Sequence, residues 1–478
     1  MPRDDLIARL AAIVGPDQVL TDPAATAPHE RDITSQYRGR ARAVVRPAST
    51  GEVAAILALA EETRTPVIPQ GGNTGLSGGG VPDAGGRAII LSLSRMNRIL
   101  AIKPASRVAV VEAGVILDRL REAAEAHDLV FPLVFGARGS CQIGGNLATN
   151  AGGSNVLRYG NARALCLGIE AVLPGGEILD LMSELHKDNS GYDLRDLLIG
   201  SEGTLGVITR AVLRLFPKPK AHATAMVAMT RLEDALDLLN RLVAESGGAV
   251  EAFEYMPAGY FDILAEIAPD LRPPFAASHP VNILIEIAAT GEGDATPDAA
   301  GRLPVVSRLE EVLGAFLEKG LVTDAVIARS EAQRAEMWAR REWAFEVAMA
   351  RGVPVANDIA LPLEAVAPFL ATMERKLPTV APRAESVTVA HLGDGNLHYA
   401  VWPEPGAPRD PALADRVMEM VEEEVRRLGG SFSAEHGIGV SKLASMRRRK
   451  DPVALATMKR IKKALDPHGI MNPGKLLP

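Results

Sequence analysis

Along the chain the hydrophobic pattern alternates between a helical period and short apolar runs that suit strands. An amphipathic stretch opens the sequence and ends at Gly15, and apolar residues recur at helical spacing from Thr50-Gly51-Glu52 through Ala60 before a strand over 66–69. Strands are expected over 88–93 and 108–113, then a helix over 116–126. A long glycine- and asparagine-rich segment over 131–160 reads as a functional loop. Strands resume over 168–173 and 206–216, and Pro217-Lys218-Pro219-Lys220 then punctuates the chain, which places a domain boundary there.

Beyond that boundary the pattern predicts a strand from Ala223, a helix over 232–244, a strand over 250–255, a helix, and a strand over 281–288. A Gly/Asp/Pro linker over 290–303, a helix, a strand over 323–328 and a helix over 331–350 follow. A hairpin over 391–398, a helix over 413–428, a loop around Glu435, a helix over 452–465 and a turn-rich tail complete the order. Strands and helices in this succession suit an α+β architecture, the second half being a sheet with helices on one face. Four segments result: a helical extension over 1–36, domains over 37–217 and 218–430, and a C-terminal segment over 431–478.

Composition narrows the class. With 478 residues, 47% of them hydrophobic, the chain is too long for a single ordinary core. No apolar run approaches the roughly 20 residues of a membrane span, and Met1-Pro2-Arg3-Asp4-Asp5 leads into an amphipathic helix rather than a signal-peptide core. A cytoplasmic location is the default expectation, compatible with peripheral membrane association. The net charge of −7 argues against nucleic-acid binding, and Arg447-Arg448-Arg449-Lys450 reads as a solvated face. Cys141 and Cys166 could form at most one disulfide, and their glycine-rich and apolar surroundings suggest packing rather than redox work.

The sharpest chemical signal is Val389-Ala390-His391-Leu392-Gly393-Asp394-Gly395-Asn396-Leu397-His398. Asp394-Gly395 is a strong two-residue turn signal between strand-forming runs, and such a turn would set His391 opposite His398. Opposed cross-strand side chains have Cβ atoms roughly 4.5–5.5 Å apart, close enough for two imidazoles to share a cation. A site with three protein ligands leaves a position open for water or substrate. Glu435-His436 offers the third: in extended chain the two side chains point opposite ways, so one would ligate and the other would be free for proton transfer. Zinc, manganese and iron suit such a donor set about equally.

Three glycine segments add a second theme. Pro69-Gln70-Gly71-Gly72-Asn73-Thr74-Gly75 follows a strand, so its amides could wrap an anion, although it is neither a P-loop nor a Rossmann fingerprint. The second holds Ser140, Gly144, Gly145, Thr149 and Gly153, and the third holds Glu202, Gly203, Gly206 and Ile208. Three places for close backbone approach in one domain suggest a large cofactor.

Together these segments resemble the vanillyl-alcohol-oxidase (PCMH) type of FAD-binding oxidoreductase, in its D-2-hydroxy-acid dehydrogenase branch, over roughly Arg46 to Lys475. The branch includes D-lactate and D-2-hydroxyglutarate dehydrogenases and the glycolate oxidase FAD subunit. The resemblance implies a PCMH-type FAD-binding domain of two subdomains, an α+β cap for substrate, and a C-terminal segment returning to the flavin. It also implies that the first glycine segment, Pro69 to Gly75, holds the FAD pyrophosphate. Ser140, Gly144, Gly145, Thr149 and Gly153 would lie along the flavin, Glu202, Gly203, Gly206 and Ile208 on the adenine side, and Asn472 at the isoalloxazine. Asn73-Thr74 offers no histidine for covalent attachment, so FAD is expected to be non-covalent.

The resemblance further implies that His391, His398 and Glu435 bind a divalent metal, zinc or manganese, that His436 is the base, and that Arg341 grips the substrate carboxylate while Arg340 lies on the solvated side. Asn396 is a candidate substrate contact, or alternatively orients the turn. An acceptor such as a quinone, an electron-transfer flavoprotein or a cytochrome is implied, and a homodimer is the default. Relatives that take D-2-hydroxyglutarate carry a lysine where Ala356 stands and a threonine where Phe345 stands. Those departures favour D-lactate or another acid with an apolar side chain. The alternatives are a D-2-hydroxyglutarate dehydrogenase, a non-catalytic FAD subunit supporting a partner, and a metallohydrolase built on the hairpin, which leaves the glycine segments unexplained.

Overall fold

A computed structural model describes residues 3–408 and 410–478, so Met1 and Pro2 of the opening stretch lie outside the described residues. The chain forms two compact units, one of residues 1–152, 160–217 and 435–478, the other of 153–159 and 218–434.

The first unit holds two principal sheets. In one, Ile89–Ser92 lies between Ala43–Val45 and Val67–Gln70, parallel to both, with Val19–Leu20 at the edge. The helices Arg3–Val14 and Thr50–Thr63 share its core through Leu6, Leu10, Ile56 and Leu57. Ser49 caps the second helix by accepting from Glu52 N, a bond worth about 1 kcal/mol, and left-handed Arg64 ends it. The other sheet is antiparallel, in the order Ile99–Lys103, Val108–Glu112, Val207–Arg214, Cys166–Val172, Ile178–Leu181. Its two edge strands are half-exposed and were not legible as apolar runs. The 131–160 segment is not structureless, since Ile143–Ala148 and Val156–Tyr159 are helical.

The second unit is built on a seven-stranded antiparallel sheet in the order Val322–Ile327, Ala221–Met229, Val281–Ala289, Val250–Pro257, Glu385–His391, Asn396–Trp402, Val355–Ala360. Ala235–Glu245, Pro304–Glu318, Val366–Val380 and Pro411–Arg427 bury one face through residues such as Leu238, Leu309, Phe369 and Val421. The expectation of helices on a single face does not hold. Ala258–Ile267, Glu331–Glu342 and Ala344–Met349 pack Tyr260, Leu264, Met337 and Val347 against the opposite face, over Met226, Leu284, Val389 and Trp402. The helix expected over 331–350 breaks at Trp343, whose ψ of 9° departs from the helical value.

Candidate active site

Both hairpin histidines lie on this second sheet face, in a register different from the expected one. His391 is opposite Asn396 and Val389 is opposite His398, and the connection runs through Leu392 to Gly395 rather than through Asp394-Gly395 alone. Contacts outside the hairpin shape the loop: Gly393 N donates to Phe253 O, and Gly395, at φ 77°, lies where an added Cβ would fall 2.1 Å from Leu361 O. The expected pairing is therefore displaced by two residues, which preserves the face each side chain occupies. The two imidazoles become diagonal neighbours, ring centroids 5.4 Å apart and planes at 83°.

The adjoining strand adds a carboxylate that pattern reading passed over. Glu254 stands opposite His391, its Oε1 lies 2.8 Å from His391 Nδ1, and its Oε2 accepts from Arg341 Nε at 2.7 Å. All three side chains are buried. Burial pushes the Glu254 carboxyl up, but facing His391 and Arg341 outweigh it and hold the group below the ordinary carboxylate range. Arg340, expected on the solvated side, is also buried; it donates to Arg272 O and to Glu336 Oε1, both at 2.6 Å.

Glu286 holds the helix that carries Arg341. Its carboxylate accepts from Arg334 Nε and Nη2, from Thr224 Oγ1 and from Trp338 Nε1. Burial opposes ionisation here too, yet Arg334 brings the carboxyl below its ordinary value of 4.5. Its stabilising contribution is thus complete above that value and disappears as pH falls through the lower, folded-state value. Glu286→Gln is expected to lower stability by about 1.5–3 kcal/mol at pH 7. Denaturant midpoints measured towards acid should show the gap to wild type closing below pH 4.5; a gap that widens would contradict the charged role.

Asp358 was likewise missed. It stands opposite His398, with Oδ1 3.9 Å from His398 Nδ1 and 3.1 Å from Asn396 Nδ2. Asn396 Nδ2 also donates to Ile359 O, so this amide braces the turn's base. Ala434 N donates to Asp358 O and Oδ2, which fixes the second unit's last residue immediately before Glu435. The signal for both carboxylates was an acidic residue within a mostly buried strand, in Val250–Pro257 beside Glu251 and in Val355–Ala360 beside Asn357. On the same face Ala356 is opposite Ala400, and Ala356 is exposed. Phe345 is 50% exposed and so is not a core position.

In the first unit the glycine segments converge. Pro69 and Gln70 end a strand, and Gly71 to Gly75 form a partly exposed turn. Gln70 braces that turn, donating to Gly80 O and bonding His29, and left-handed Asn73 donates to Arg31 O. Gly72 approaches the second segment so closely that an added Cβ would be 2.2 Å from Ser140 O. Ser140 is exposed, Gly144 and Gly145 lie in a short helix, and Thr149 Oγ1 donates back to Gly145 O. Gly153 falls in the piece of chain belonging to the second unit. In the third segment Gly203 borders Pro69, Gly206 packs on Val172 and Ile208 is buried in its strand.

Glu435 and His436 open the first unit's final segment. That segment is not extended: Gly437 has φ 71°, and His436 Nε2 lies 3.8 Å from Glu435 Oε1, so the two side chains are not directed apart. Its backbone is held firmly. Ser77 Oγ donates to His436 O, and Glu202 accepts from Ile438 N and Gly439 N, both at 2.7 Å. Burial pushes the Glu202 carboxyl up despite these bonds. Its carboxylate is committed to this loop, while its carbonyl accepts from Asn472 Nδ2.

Asn472 provides a test for the cofactor. Nδ2 donates to Gly79 O and Glu202 O, whereas Oδ1 is buried without a hydrogen-bond partner among the described residues. An orphaned acceptor costs about 1–3 kcal/mol unless a donor reaches it, and a donor-bearing ligand beside the converging glycine segments fits that need. The cysteines have no comparable role: both are free, and burial pushes the thiols up to about 11 for Cys141 and about 12 for Cys166. No helix among the described residues is long and apolar enough to cross a membrane.

Residues 41–182 match the family described as FAD binding domain, and residues 218–476 match FAD linked oxidases, C-terminal domain. D-2-hydroxyglutarate dehydrogenase of Xanthomonas citri pv. viticola is 37% identical over 478 residues, covering 99% of this chain and 97% of that protein. The mitochondrial D-2-hydroxyglutarate dehydrogenase of Bos taurus is 39% identical over 480 residues, covering 99% and 84%. Among solved structures, p-cresol methylhydroxylase with substrate bound superposes with a TM-score of 0.75 at 17% identity over 99% of this chain and 96% of that one. Alkyldihydroxyacetonephosphate synthase gives 0.72 at 17% identity over 99% and 85%. These two share the fold, the PCMH type with a mixed helix and sheet second domain. The chain belongs to the FAD-linked oxidases and is an FAD-dependent oxidoreductase acting on a CH–OH group.

Proposed function

We propose that this enzyme oxidises a D-2-hydroxy acid with a small or apolar side chain, D-lactate being the simplest, to the 2-oxo acid. The observation that carries the reading is the face shared by Arg341, His391, His398 and the opposed pair Ala356–Ala400. Arg341 keeps its terminal guanidinium nitrogens for a carboxylate, since Nε already serves Glu254. On the same face the Ala356–Ala400 pair brings no charge for a second carboxylate. For this reason D-2-hydroxyglutarate, named for relatives at 34–39% identity, is the second reading rather than the first.

His391, His398 and Glu435 are the proposed metal ligands, a donor set suited to zinc or manganese. When bound, the metal would supply Lewis acidity at the substrate hydroxyl, and non-covalent FAD would supply the hydride acceptor. His436 would take the hydroxyl proton as the C2 hydrogen leaves. Pro69 to Gly75 would cradle the pyrophosphate, and Ser140, Gly144, Gly145, Thr149, Gly153, Glu202, Gly203, Gly206, Ile208 and Asn472 the remainder of FAD. Electrons would pass on to a quinone, an electron-transfer flavoprotein or a cytochrome.

Anaerobic mixing of the purified flavoprotein with D- and L-2-hydroxy acids tests this directly. Flavin absorbance is expected to bleach fastest with D-lactate or a longer apolar D-acid, to stop after chelation, and to return with zinc or manganese. Faster bleaching by D-2-hydroxyglutarate would transfer the assignment to the relatives' substrate. No bleaching by any acid would favour a supporting FAD subunit.

A further inference from the structure

Glu254 joins two groups of the site that the sequence treats as unrelated. One oxygen lies 2.8 Å from His391 Nδ1 and the other 2.7 Å from Arg341 Nε, while its side chain is 1% exposed. Resting on the metal reading above, we infer that Glu254 is a positioning residue that sets the metal-ligand histidine and the substrate-binding arginine together. Arg341 Nε can only donate, so Oε2 must accept. When His391 Nδ1–H donates to Oε1, the lone pair is at Nε2, the nitrogen that would bind a metal. Only a carboxylate presents an acceptor to both neighbours; an amide would turn its NH₂ towards one of two donors. The rigid sheet reinforces this, because Glu254 and His391 are cross-strand partners and neither depends on a loop for its position.

The carboxylate thereby sets two geometries. It orients the imidazole, and it fixes the guanidinium plane so that the two Nη groups project from a defined pose towards the substrate carboxylate. A purely structural ion pair between a strand and a helix would need neither the second oxygen on His391 nor any link to metal affinity.

Glu254→Gln and Glu254→Asp test the assignment, with His398→Gln as a control. Manganese and zinc affinities would be measured by competition with a chromogenic chelator, alongside FAD content, thermal midpoint, and KM and kcat for D-lactate at saturating metal. For Glu254→Gln the expected result is metal binding weakened about 10- to 100-fold and KM raised, with kcat at saturation less affected and FAD content unchanged. Glu254→Asp keeps the charge but is too short for both neighbours, so a smaller loss of metal affinity is expected, and this variant decides the matter if Glu254→Gln does not fold. If His398→Gln loses metal while both Glu254 variants retain wild-type metal affinity, the inference on Glu254 is wrong and the metal reading stands. If His398→Gln binds metal as wild type does, the metal reading itself fails.

Discussion

Replacing His436 by alanine is expected to lower kcat by about 10²- to 10⁴-fold, the usual loss for a general base, while leaving the flavin in place. The prediction is specific because backbone groups anchor this loop. Ser77 Oγ donates to the His436 carbonyl, and Glu202 takes the two amides that follow at Ile438 and Gly439. None of these bonds involves the ring, so removing it leaves the segment attached to Ser77 and Glu202. Stopped-flow bleaching in parallel with flavin content would separate the two effects. Turnover equal to wild type would eliminate His436 as the base, and loss of FAD would show that the ring supports the pocket rather than the chemistry.

Removal of Arg341 should have the second large effect, on stability as well as rate. Arg341→Met leaves the Glu254 carboxylate buried with one of its two partners gone, and breaking a buried pair from one side costs about 3–5 kcal/mol. Substrate binding should also weaken by about 10- to 100-fold, from the 1.5–3 kcal/mol typical of a charged hydrogen bond. The double variant Arg341→Met with Glu254→Gln separates these contributions: with the stranded charge removed, it should regain part of the lost thermal stability but none of the substrate binding. A double variant no more stable than Arg341→Met alone would mean that the ion pair does not govern the stability of this face.

The hairpin shows what kind of information the sequence carried. Histidines bracketing a Gly-Asp-Gly turn could be placed on one strand face because a period of two is local, and the two-residue displacement of the register left that inference intact. Loop length was not local. It depends on Leu361 and Phe253, distant in sequence, which contact Gly395 and Gly393. Glu254 and Asp358 escaped notice for the same reason: each acquires its role only through a neighbouring strand, Glu254 from a partner 137 residues away. Half-exposed edge strands such as Ile178–Leu181 also lacked the apolar run that marks a central strand. Glycine segments, by contrast, announced their use in composition, since close approach such as that of Gly72 to Ser140 tolerates no other residue.

Asn472 also has a consequence for the order of assembly. It reaches back to Gly79 and Glu202, and its backbone N donates to Val67 O, within a unit whose pieces are separated in the chain by the whole of 218–434. During synthesis the second unit's strands are therefore made before the first unit receives its closing segment. A ribosome stalled after Leu465 would carry a nascent chain with the early glycine segments but without the residue that joins Gly79 to Glu202. Stable flavin capture should then be a late event in the life of the chain, and truncations that remove Asn472 should yield apoprotein however well the rest has folded.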